Sequence, residues 1–357
     1  MKKKFDYKKI LFVPFQEVRI PAWALLLVVV AIVVGGVLAT QPRESVVVEE
    51  PVVVVEEPEE VYFSWLDGRE QESEESVVPY AIMIDHALDS GLPIGIDQAP
   101  VVFETLVEGG VTRLMALFDP RDNIEYIGPV RSARPYFVDW AQGFGAVYAH
   151  AGGSPTALSL IKDIIIKDIN EIGSDGKYFW RSKNREAPHN LFTSSELMNE
   201  AFAVKEWELT RDEQLLPWEW QESVEGVEEE QNALSVLIDF SRTSYTVAWE
   251  YNLEDSAYQR YRSGKLAQTS DGTNLVAKNV VVQFVDIGLE DELRLTMETL
   301  GDGDAVVCSL GICKEGEWKR AATNEPTQFF VENELVVLVP GNTWIAVVPN
   351  GRSVTWE

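Results

Sequence analysis

Two short polar turns, at residues 131–134 and 151–154, hold the side chains in this sequence that are best suited to chemistry. The first turn contains two arginines, whose guanidinium groups present N–H donors in a fixed fork that matches a carboxylate or a phosphate. Each turn precedes a predicted helix, whose first turn offers free N–H groups and a partial positive charge. We therefore predict an anion-binding rim made by Arg131, Ser132, Arg134, His150, Gly152, Gly153 and Ser154.

The elements around these turns predict a βαβα unit within an α/β fold. Two β-rich runs alternate with two helical patterns, at residues 124–130, 136–144, 146–150 and 156–162. Pro135 and Pro155 suit a first helical turn, and Ser154 is a good N-cap. A right-handed crossover places both turns at the same edge of a parallel sheet, where ligands bind. The alternative is that the arginines pair with acidic residues of this very acidic protein.

A second group of candidates lies in the segment 177–193, which is dense in aromatic and basic residues. Pro188 and the residues before it favour a loop, and Thr193 with Glu196 forms a capping box for a helix over residues 194–202. Loops of this composition often cover a ligand, although the segment could equally pack into the core. The ligand-binding candidates here are Trp180, Arg181, Arg185, His189 and Asn190.

A predicted β-hairpin over residues 101–119 contributes charged side chains. Gly109 and Gly110 separate its two strands, and a two-residue loop would place Glu104 opposite Met115 and Arg113 opposite Leu106. Glu104, Glu108 and Arg113 would then share one face, either as part of the site or as a cross-strand charge cluster. We favour a structural role for Glu104 and include Arg113 among the ligand-binding residues.

The N-terminal segment is typical of a membrane anchor. Residues 2–19 hold six basic residues against two acidic ones, and residues 22–39 contain no charge. Such a run just suffices for one bilayer crossing, and the basic flank places the N-terminus in the cytoplasm. We predict a cytoplasmic tail at residues 1–21 and a single-pass transmembrane helix at residues 22–40, with the bulk of the chain outside the cell. A cleaved signal peptide is the alternative.

The charge pattern divides the rest of the chain. Residues 41–78 predict an acidic, disordered linker, and a second acidic stretch at residues 222–231 predicts a domain boundary. We predict an α/β domain with a mixed sheet at residues 79–221 and a β-rich domain at residues 232–357. The net charge of −28 argues against nucleic acid as a partner.

The two cysteines, Cys308 and Cys313, lie in one predicted hairpin around Leu310 and Gly311. A two-residue loop would place them directly opposite each other, where the Cβ atoms are close enough for a disulfide. An exported location permits this bond. No second pair of ligands accompanies the cysteines, so we predict a disulfide, no metal site and no cofactor.

Several long motifs resemble those of the YerB-like family of exported, often lipid-anchored bacterial proteins, whose main domain has no known function. They are YAIMID, VFETLVEGGVTRLMALFD, IGPVRSARPY, YAHAGGSPTAL, YFWRS and APHNLFT, followed by NVVVQF, GDGDAVVCSLGICKEGEW and PGNTWIAVVP. The resemblance spans nearly all of residues 79–350. The sequence departs from the family pattern in two ways. It has no lipoprotein cysteine, and His86 stands where the family leads us to expect Asn.

Two functions fit these residues. The first is a binding module of the cell envelope, whose arginine, glycine and serine rim takes an anionic cell-wall polymer or a partner protein. The second is an envelope transferase or hydrolase in which Asp85, His150 and His189 are catalytic candidates and the arginines stabilise charge. The sequence contains no GxSxG, P-loop or HExxH motif, and Ser132 and Ser154 suit caps and turns. We therefore favour binding.

Overall fold

Most residues that the computed structural model describes follow the predicted anchor. The described residues are 61–73, 75–208, 210, 216–221 and 231–357, with Pro21, Trp23, Leu26, Leu27 and Ala31. The predicted tail at 1–21 and anchor at 22–40 lie almost entirely outside this set, as does the linker up to residue 60. No helix among the described residues combines the length and apolar character that crossing a bilayer requires.

The described residues from 61 to 221 form ten strands, three α-helices and three short 3-10 helices. The strands are β1 (Tyr62–Phe63), β2 (Glu70–Gln71), β3 (Tyr80–Ile84), β4 (Val101–Leu106), β5 (Thr112–Phe118), β6 (Val147–His150), β7 (Asp168–Asn170), β8 (Trp180–Arg181), β9 (Leu191–Phe192) and β10 (Glu219–Trp220). The α-helices are α1 (Pro135–Gly143), α2 (Pro155–Asp163) and α3 (Ser195–Val204). The 3-10 helices are Ile96–Gln98, Glu108–Gly110 and Ser174–Tyr178.

Residues 231–357 form fifteen strands and one 3-10 helix, Thr243–Tyr245. The strands are β11 (Ser235–Asp239), β12 (Thr246–Asn252), β13 (Ala257–Arg262), β14 (Lys265–Leu266), β15 (Val276–Ala277), β16 (Asn279–Val285), β17 (Ile287–Leu289), β18 (Leu295–Met297), β19 (Gly301–Ser309), β20 (Ile312–Arg320), β21 (Gln328–Val331), β22 (Glu334–Leu335), β23 (Val337–Leu338), β24 (Thr343–Pro349) and β25 (Val354–Trp356). The predicted α/β character of the first part and β-rich character of the second are confirmed.

One mixed sheet of eleven strands runs through both parts of the chain. Its order is β22-β21-β20-β19-β16-β24-β4-β5-β3-β6-β7. The pairs β16–β24, β24–β4, β3–β6 and β6–β7 are parallel, and the others are antiparallel. Because β24 from the C-terminal part pairs with β4 from the N-terminal part, strands from both sides of the predicted boundary share one ladder.

Both faces of this sheet are covered, as the continuous apolar run of β3 predicts. All five residues of β3 are buried. Ile82 and Ile84 lie in the core that also contains Trp249 and Tyr258 of a second, antiparallel sheet, ordered β14-β13-β12-β11-β25 with β15 beside β13. Ala81 and Met83 lie in the opposite core, which contains apolar residues of α1 and α2.

The fold begins earlier than the linker prediction for residues 41–78 allowed. β1 pairs with β2, and Trp65 stacks on Phe144 with 5.9 Å between the ring centres. Leu66 is fully buried. The acidic composition of this stretch hid the signal of these few apolar side chains, which pack residues 61–73 and 75–78 against the core.

Two local predictions need correction. Residues 124–130 make only isolated bridges instead of the first strand of a βαβα unit, since Pro129 has no N–H to donate to a ladder. In the β4–β5 hairpin, the 3-10 turn Glu108–Gly110 gives a three-residue connection. Glu104 therefore faces Leu114, and Arg113 faces Thr105. The shift by one residue places Glu104 and Arg113 on opposite faces of the sheet.

A disulfide joins Cys308 and Cys313, which are directly opposite each other in the β19–β20 hairpin. Leu310 has a positive φ of 54° and Gly311 one of 77°, so the two residues form the tight turn between these strands. Both cysteines are buried in the core beneath the second sheet.

A buried ion pair connects the two sheets. Arg260 of β13 donates from Nη2 to both carboxylate oxygens of Glu104 in β4, at 2.9 and 2.8 Å. Trp344 donates from Nε1 to the same carboxylate at 3.0 Å, and the Arg260 guanidinium lies 4.9 Å from the Trp344 ring centre. Burial alone would raise the pKa of the Glu104 carboxyl, but Arg260 and His86 hold it well below its usual range.

His86 completes this buried network as a neutral side chain. Its Nδ1 lies 2.7 Å from Oγ1 of Thr112 and 3.3 Å from Oε1 of Glu104. Burial lowers the pKa of His86 to about 4, and the nearby Glu104 only partly opposes this effect. The imidazole therefore stays uncharged in the folded protein at pH values where an exposed histidine would bind a proton.

Removing the charge of Glu104 should strongly destabilise the fold. We expect Glu104→Gln to lower the free energy of unfolding by about 3–5 kcal/mol, because the buried Arg260 would keep its charge without a carboxylate. Urea unfolding followed by tryptophan fluorescence at pH 7 measures this loss. The exposed Glu250 of β12 provides the control, and a loss in Glu104→Gln no larger than in Glu250→Gln would contradict the role of the pair.

The buried His86 should make stability depend on pH. Its pKa is lower in the folded than in the unfolded chain, so the unfolded chain binds an extra proton between about pH 6.5 and pH 4. The contribution of the uncharged His86 to the free energy of unfolding is therefore complete above that range. It is lost as the pH falls, by about 2 kcal/mol between pH 7 and pH 5. His86→Gln should lose less stability than the native chain over this interval in urea unfolding. Equal losses would show that His86 does not titrate as proposed.

Candidate functional site

Polar side chains collect at one edge of the large sheet, where β3 and β6 end. These two strands are parallel, so Asp85 and residues 151–154 follow them at the same edge. β5 is antiparallel to β3 and begins at this edge, which brings Arg113 to it. Glu108 follows the end of β4 and lies there as well. This is the edge at which open α/β sheets bind ligands.

The two turns predicted to share a rim lie side by side. Ala133 donates its N–H to the Gly152 carbonyl at 2.9 Å, and Ser132 donates from Oγ to the Ala151 carbonyl at 2.9 Å. Ser154 caps α2 by accepting the Ala157 N–H at 3.2 Å. The serines of the rim therefore serve as turn and cap residues, as their sequence positions suggested.

Close packing explains both glycines of the second turn. Gly152 has a φ of +62°, and a Cβ there would lie 2.7 Å from the Ile172 side chain. A Cβ at Gly153 would lie 3.1 Å from the Cβ of Ala133. Gly153 therefore lets the two turns approach each other, and Gly152 leaves room for Ile172, so both glycines meet structural requirements that are independent of any ligand.

Asp85 is the centre of a three-residue cluster. Its Oδ2 lies 2.6 Å from Nδ1 of His189 and 3.1 Å from Nε of Arg131, while Oδ1 accepts the Ala87 N–H at 3.1 Å. A carboxylate only accepts hydrogen bonds, so Nδ1 of His189 carries a proton, and in the neutral imidazole Nε2 holds the lone pair. The sequence proposed all three residues, but no local pattern indicated that they would meet across 104 positions.

Arg134 and Arg113 complete the charged group. Arg134 donates from Nε and Nη2 to the two carboxylate oxygens of Glu108, at 2.6 and 2.7 Å. Arg113 is buried and donates from Nη1 to the Ser132 carbonyl at 3.0 Å. Burial and the charges of Arg134 and Arg131 lower the pKa of Arg113 to about 10, and the charge of Asp85 opposes this only partly. We name Arg113, Arg131 and Arg134, with the turns 131–134 and 151–154, the arginine edge.

His150 does not join the cluster around Asp85. It is fully buried and stacks on Tyr148, with 5.1 Å between the ring centres. Its Nδ1 lies 2.7 Å from the Gly152 carbonyl, and its Nε2 lies 3.4 Å from Oδ2 of Asp168. Both ring nitrogens therefore have partners, and the geometry does not offer His150 for the acid–base role that the sequence suggested.

The candidates of the segment 177–193 mainly hold that segment in place. Arg185 donates to the carbonyls of Ser90 and Leu92 at 3.0 and 2.6 Å, and Arg181 donates to Asn190 and Glu171 at 3.0 and 2.9 Å. Trp180 contacts Tyr126 and Phe192 through its ring. These contacts hold the segment where His189 can reach Asp85, so the segment positions His189 within the cluster around Asp85.

A cleft of about 550 Å³ adjoins the cluster on the side of His189. Residues 89–91 form one wall and residues 185–189 the other. The Nε2 atom of His189 lies 3.7 Å from Oδ2 of the exposed Asp89. The free nitrogen of the Asp85–His189 pair thus lies at an opening large enough for a small ligand or for one end of a polymer.

Sequence reasoning missed Asn170, which supports the second turn. Its Oδ1 accepts the N–H groups of Gly152 and Ile172, at 2.9 and 3.0 Å. An Asn at the end of a strand is a weak signal for such a role. In the described part of the chain, no group of three His, Cys, Asp or Glu side chains is placed to hold a metal ion.

Comparisons with known proteins support the overall fold. Residues 66–208 match the model described as "Protein of unknown function (DUF3048) N-terminal domain", and residues 236–345 match the corresponding C-terminal domain. The Bacillus subtilis (strain 168) protein named "Putative lipoprotein YerB" is 28% identical over 276 residues, which cover 76% of this chain and 81% of that protein. The crystal structure of YerB from Bacillus subtilis superposes with a TM-score of 0.73 at 25% identity, covering 82% of this chain and 99% of that one.

The two family models match adjoining segments that together make up most of the sequence. Their limits fall on either side of the acidic stretch at residues 222–231, while the large sheet joins both segments. The resemblance stated from the sequence motifs is confirmed, and YerB is a relative of this chain. The chain belongs to the DUF3048 family.

Proposed function

We propose that this chain is a membrane-anchored, extracytoplasmic protein of the bacterial cell envelope that binds an anionic cell-wall polymer or a partner protein at the arginine edge. The ligand group that it recognises is a carboxylate or a phosphate. The observation that carries the proposal is the meeting of three arginines, Arg113, Arg131 and Arg134, with only two carboxylates, Asp85 and Glu108.

The location is supported by three features. The relative is named "Putative lipoprotein YerB", and a lipoprotein is held at a membrane by its lipid. Here the uncharged residues 22–39 follow a basic segment, and that order favours export of the rest of the chain. Both cysteines of the sequence are joined to each other, so we assign anchoring to residues 22–40 rather than to a lipidated cysteine. The disulfide itself suits an oxidising compartment.

The charge balance supports an anion at the arginine edge. Arg131 and Arg134 each contact one acidic residue, whereas Arg113 has no carboxylate partner among the described residues. Burial lowers the pKa of the Arg113 guanidinium, and repulsion from the charges of Arg134 and Arg131 lowers it further. A bound oxyanion would relieve this repulsion and accept hydrogen bonds from the guanidinium groups.

Arg131 is the arginine best placed to reach a ligand. Its side chain is 23% exposed and forms an ion pair with Asp85, and its buried Nε donates no hydrogen bond to any described residue. The strongly negative net charge disfavours attraction of polyanions from a distance. Recognition therefore has to rest on local hydrogen bonds to one anionic group, for which a guanidinium fork is suited.

Replacing Arg131 should weaken ligand binding without unfolding the protein. We expect Arg131→Gln to bind purified cell-wall fragments and phosphorylated glycans about tenfold more weakly, because one charge-assisted pair is lost. Asp85 keeps its contact with His189 in this variant. Isothermal titration calorimetry on the full-length chain in a neutral detergent measures the change.

The matched control is Arg121→Gln. Arg121 pairs with Asp119 and lies at the opposite end of β5 from Arg113. The Arg121→Gln variant should bind the cell-wall fragments as tightly as the native chain does. Equal binding by the native chain and Arg131→Gln, or an equal loss in both variants, would contradict recognition at the arginine edge.

A second candidate function is hydrolysis of an envelope glycan or peptide. The observation that favours it is the Asp85–His189 pair, in which the carboxylate orients the imidazole and leaves Nε2 at the 550 Å³ cleft. In this arrangement Nε2 could take a proton from a water molecule that attacks the bound substrate, and Arg131 could stabilise the negative charge that develops.

The second candidate predicts a separation of binding from turnover. Mass spectrometry of cell-wall fragments incubated with the native chain should then reveal cleaved products, and His189→Gln should reduce their rate of formation by at least about a hundredfold while binding persists. If the native chain binds fragments but yields no product, the binding function stands and hydrolysis is excluded for those substrates.

A further inference from the structure

A second cleft, of about 330 Å³, lies between the loop after β3 and the β13–β14 hairpin. Gly91 lines both this cleft and the one beside His189, so the two openings lie on either side of the same loop. We name it the hairpin cleft and define it by His86, Leu92, Arg260, Arg262, Lys265 and Leu266. It belongs neither to the arginine edge nor to the Asp85–His189 pair.

The wall of the hairpin cleft carries positive charge without a matching acidic residue. Two arginines and one lysine line it, and none of the described lining residues is Asp or Glu. This composition is unusual in a chain whose formal net charge is −28. Arg260 is neutralised by Glu104 behind the wall. No described carboxylate pairs with Arg262 or Lys265, so two cations remain uncompensated.

Arg262 is held in position but not neutralised. Its Nη1 donates to the His86 carbonyl at 2.9 Å, and its guanidinium carbon lies 5.9 Å from the ring centre of Tyr245. Burial and the neighbouring Arg260 lower the pKa of the Arg262 guanidinium, and Glu104 offsets this only in part. The remaining N–H donors of this fixed fork are available to a bound oxyanion.

An unpaired hydrogen-bond donor of Arg260 also favours a bound oxyanion in the hairpin cleft. Arg260 is fully buried and lines the cleft. Its Nε has no hydrogen-bond partner among the described residues. Buried donors are nearly always satisfied in folded proteins, so an acceptor from outside the chain, such as a ligand oxygen, would complete the hydrogen bonds of this residue. An anion in the cleft would supply acceptor oxygens close to two guanidinium groups.

The rest of the wall is apolar. Leu92 is 47% exposed and Leu266 is 38% exposed, and Pro93 and Leu275 also line the cleft. Contact with a hydrocarbon group would remove these side chains from water, which is favourable. The volume is at the lower end of the range for small-molecule sites and fits a ligand of modest size.

We propose that the hairpin cleft is a binding site for a small organic oxyanion, a carboxylate or a phosphate ester with a short apolar body. Arg262 takes the anionic head, Lys265 adds charge at the exposed side, and Leu92 and Leu266 contact the body. The proposal is independent of the function proposed for the arginine edge, because the two sites use different side chains.

Four probes with the same six-carbon body test the proposal. Hexanoate, hexyl phosphate, hexanol and hexylammonium are titrated into the full-length chain in a neutral detergent by calorimetry. We expect saturable binding of at least one anion, at least about tenfold tighter than hexanol or hexylammonium, because only an oxyanion accepts the guanidinium hydrogen bonds. The stronger of the two anions identifies the head group. Binding of hexanol as tight as that of both anions would overturn the proposal.

Two variants locate the site, and two more act as controls. Lys265→Glu reverses an exposed charge and should weaken anion binding about fivefold, while Arg262→Gln keeps a donor for the His86 carbonyl and should weaken it about tenfold. Lys162→Glu changes an exposed lysine of α2, and Arg121→Gln changes an exposed arginine that pairs with Asp119 and lies outside both sites. Both controls should bind as the native chain does. Should Arg262→Gln fail to fold, Lys265→Glu decides, and native affinity in that variant would place the anion elsewhere.

Discussion

The buried pair of Glu104 and Arg260 is the interaction on which the arrangement of this protein depends. It joins β4 of the large sheet to β13 of the second sheet, across 156 positions of the sequence. Two charges in the core are costly unless geometry and hydrogen bonds compensate them. Here Trp344 donates to the carboxylate, and both Trp344 and Trp249 lie beside the guanidinium. The pair fixes how the second sheet covers the first, and it brings Arg262 and Lys265 to the loop that follows β3.

That loop links the two candidate sites. Asp85 begins it and contacts Arg131 and His189, while its later residues separate the cleft beside His189 from the hairpin cleft. At the arginine edge the acidic residues neutralise part of the positive charge, whereas the hairpin cleft has no acidic residue among its described lining. A protein with two cationic sites in an otherwise acidic chain can select an anionic group by local hydrogen bonding, although its net charge does not attract polyanions from a distance.

Local patterns in the sequence were sufficient for the parts of the fold that depend on neighbouring residues. The apolar run of β3, the proline and serine at the start of α2 and the paired cysteines all indicated what the structure contains. The hairpin register was wrong by one residue because a 3-10 turn replaces a two-residue loop. Strand alternation places His150 on the same face as the buried Tyr148, and this could have predicted its burial. The partnership of Glu104 with Arg260 had no local signal, since it arises only when two sheets meet.

Anomalous diffraction from crystals of the chain grown with tungstate is the most direct measurement of whether the arginine edge binds an oxyanion. Tungstate is an oxyanion with a heavy scattering atom, so its position is read without assuming which ligand the cell provides. We predict a tungstate peak within hydrogen-bond distance of the Arg131 guanidinium, at the edge where β3 and β6 end. Tungstate bound elsewhere on the protein, with none at Arg131, would contradict an anion site at the arginine edge.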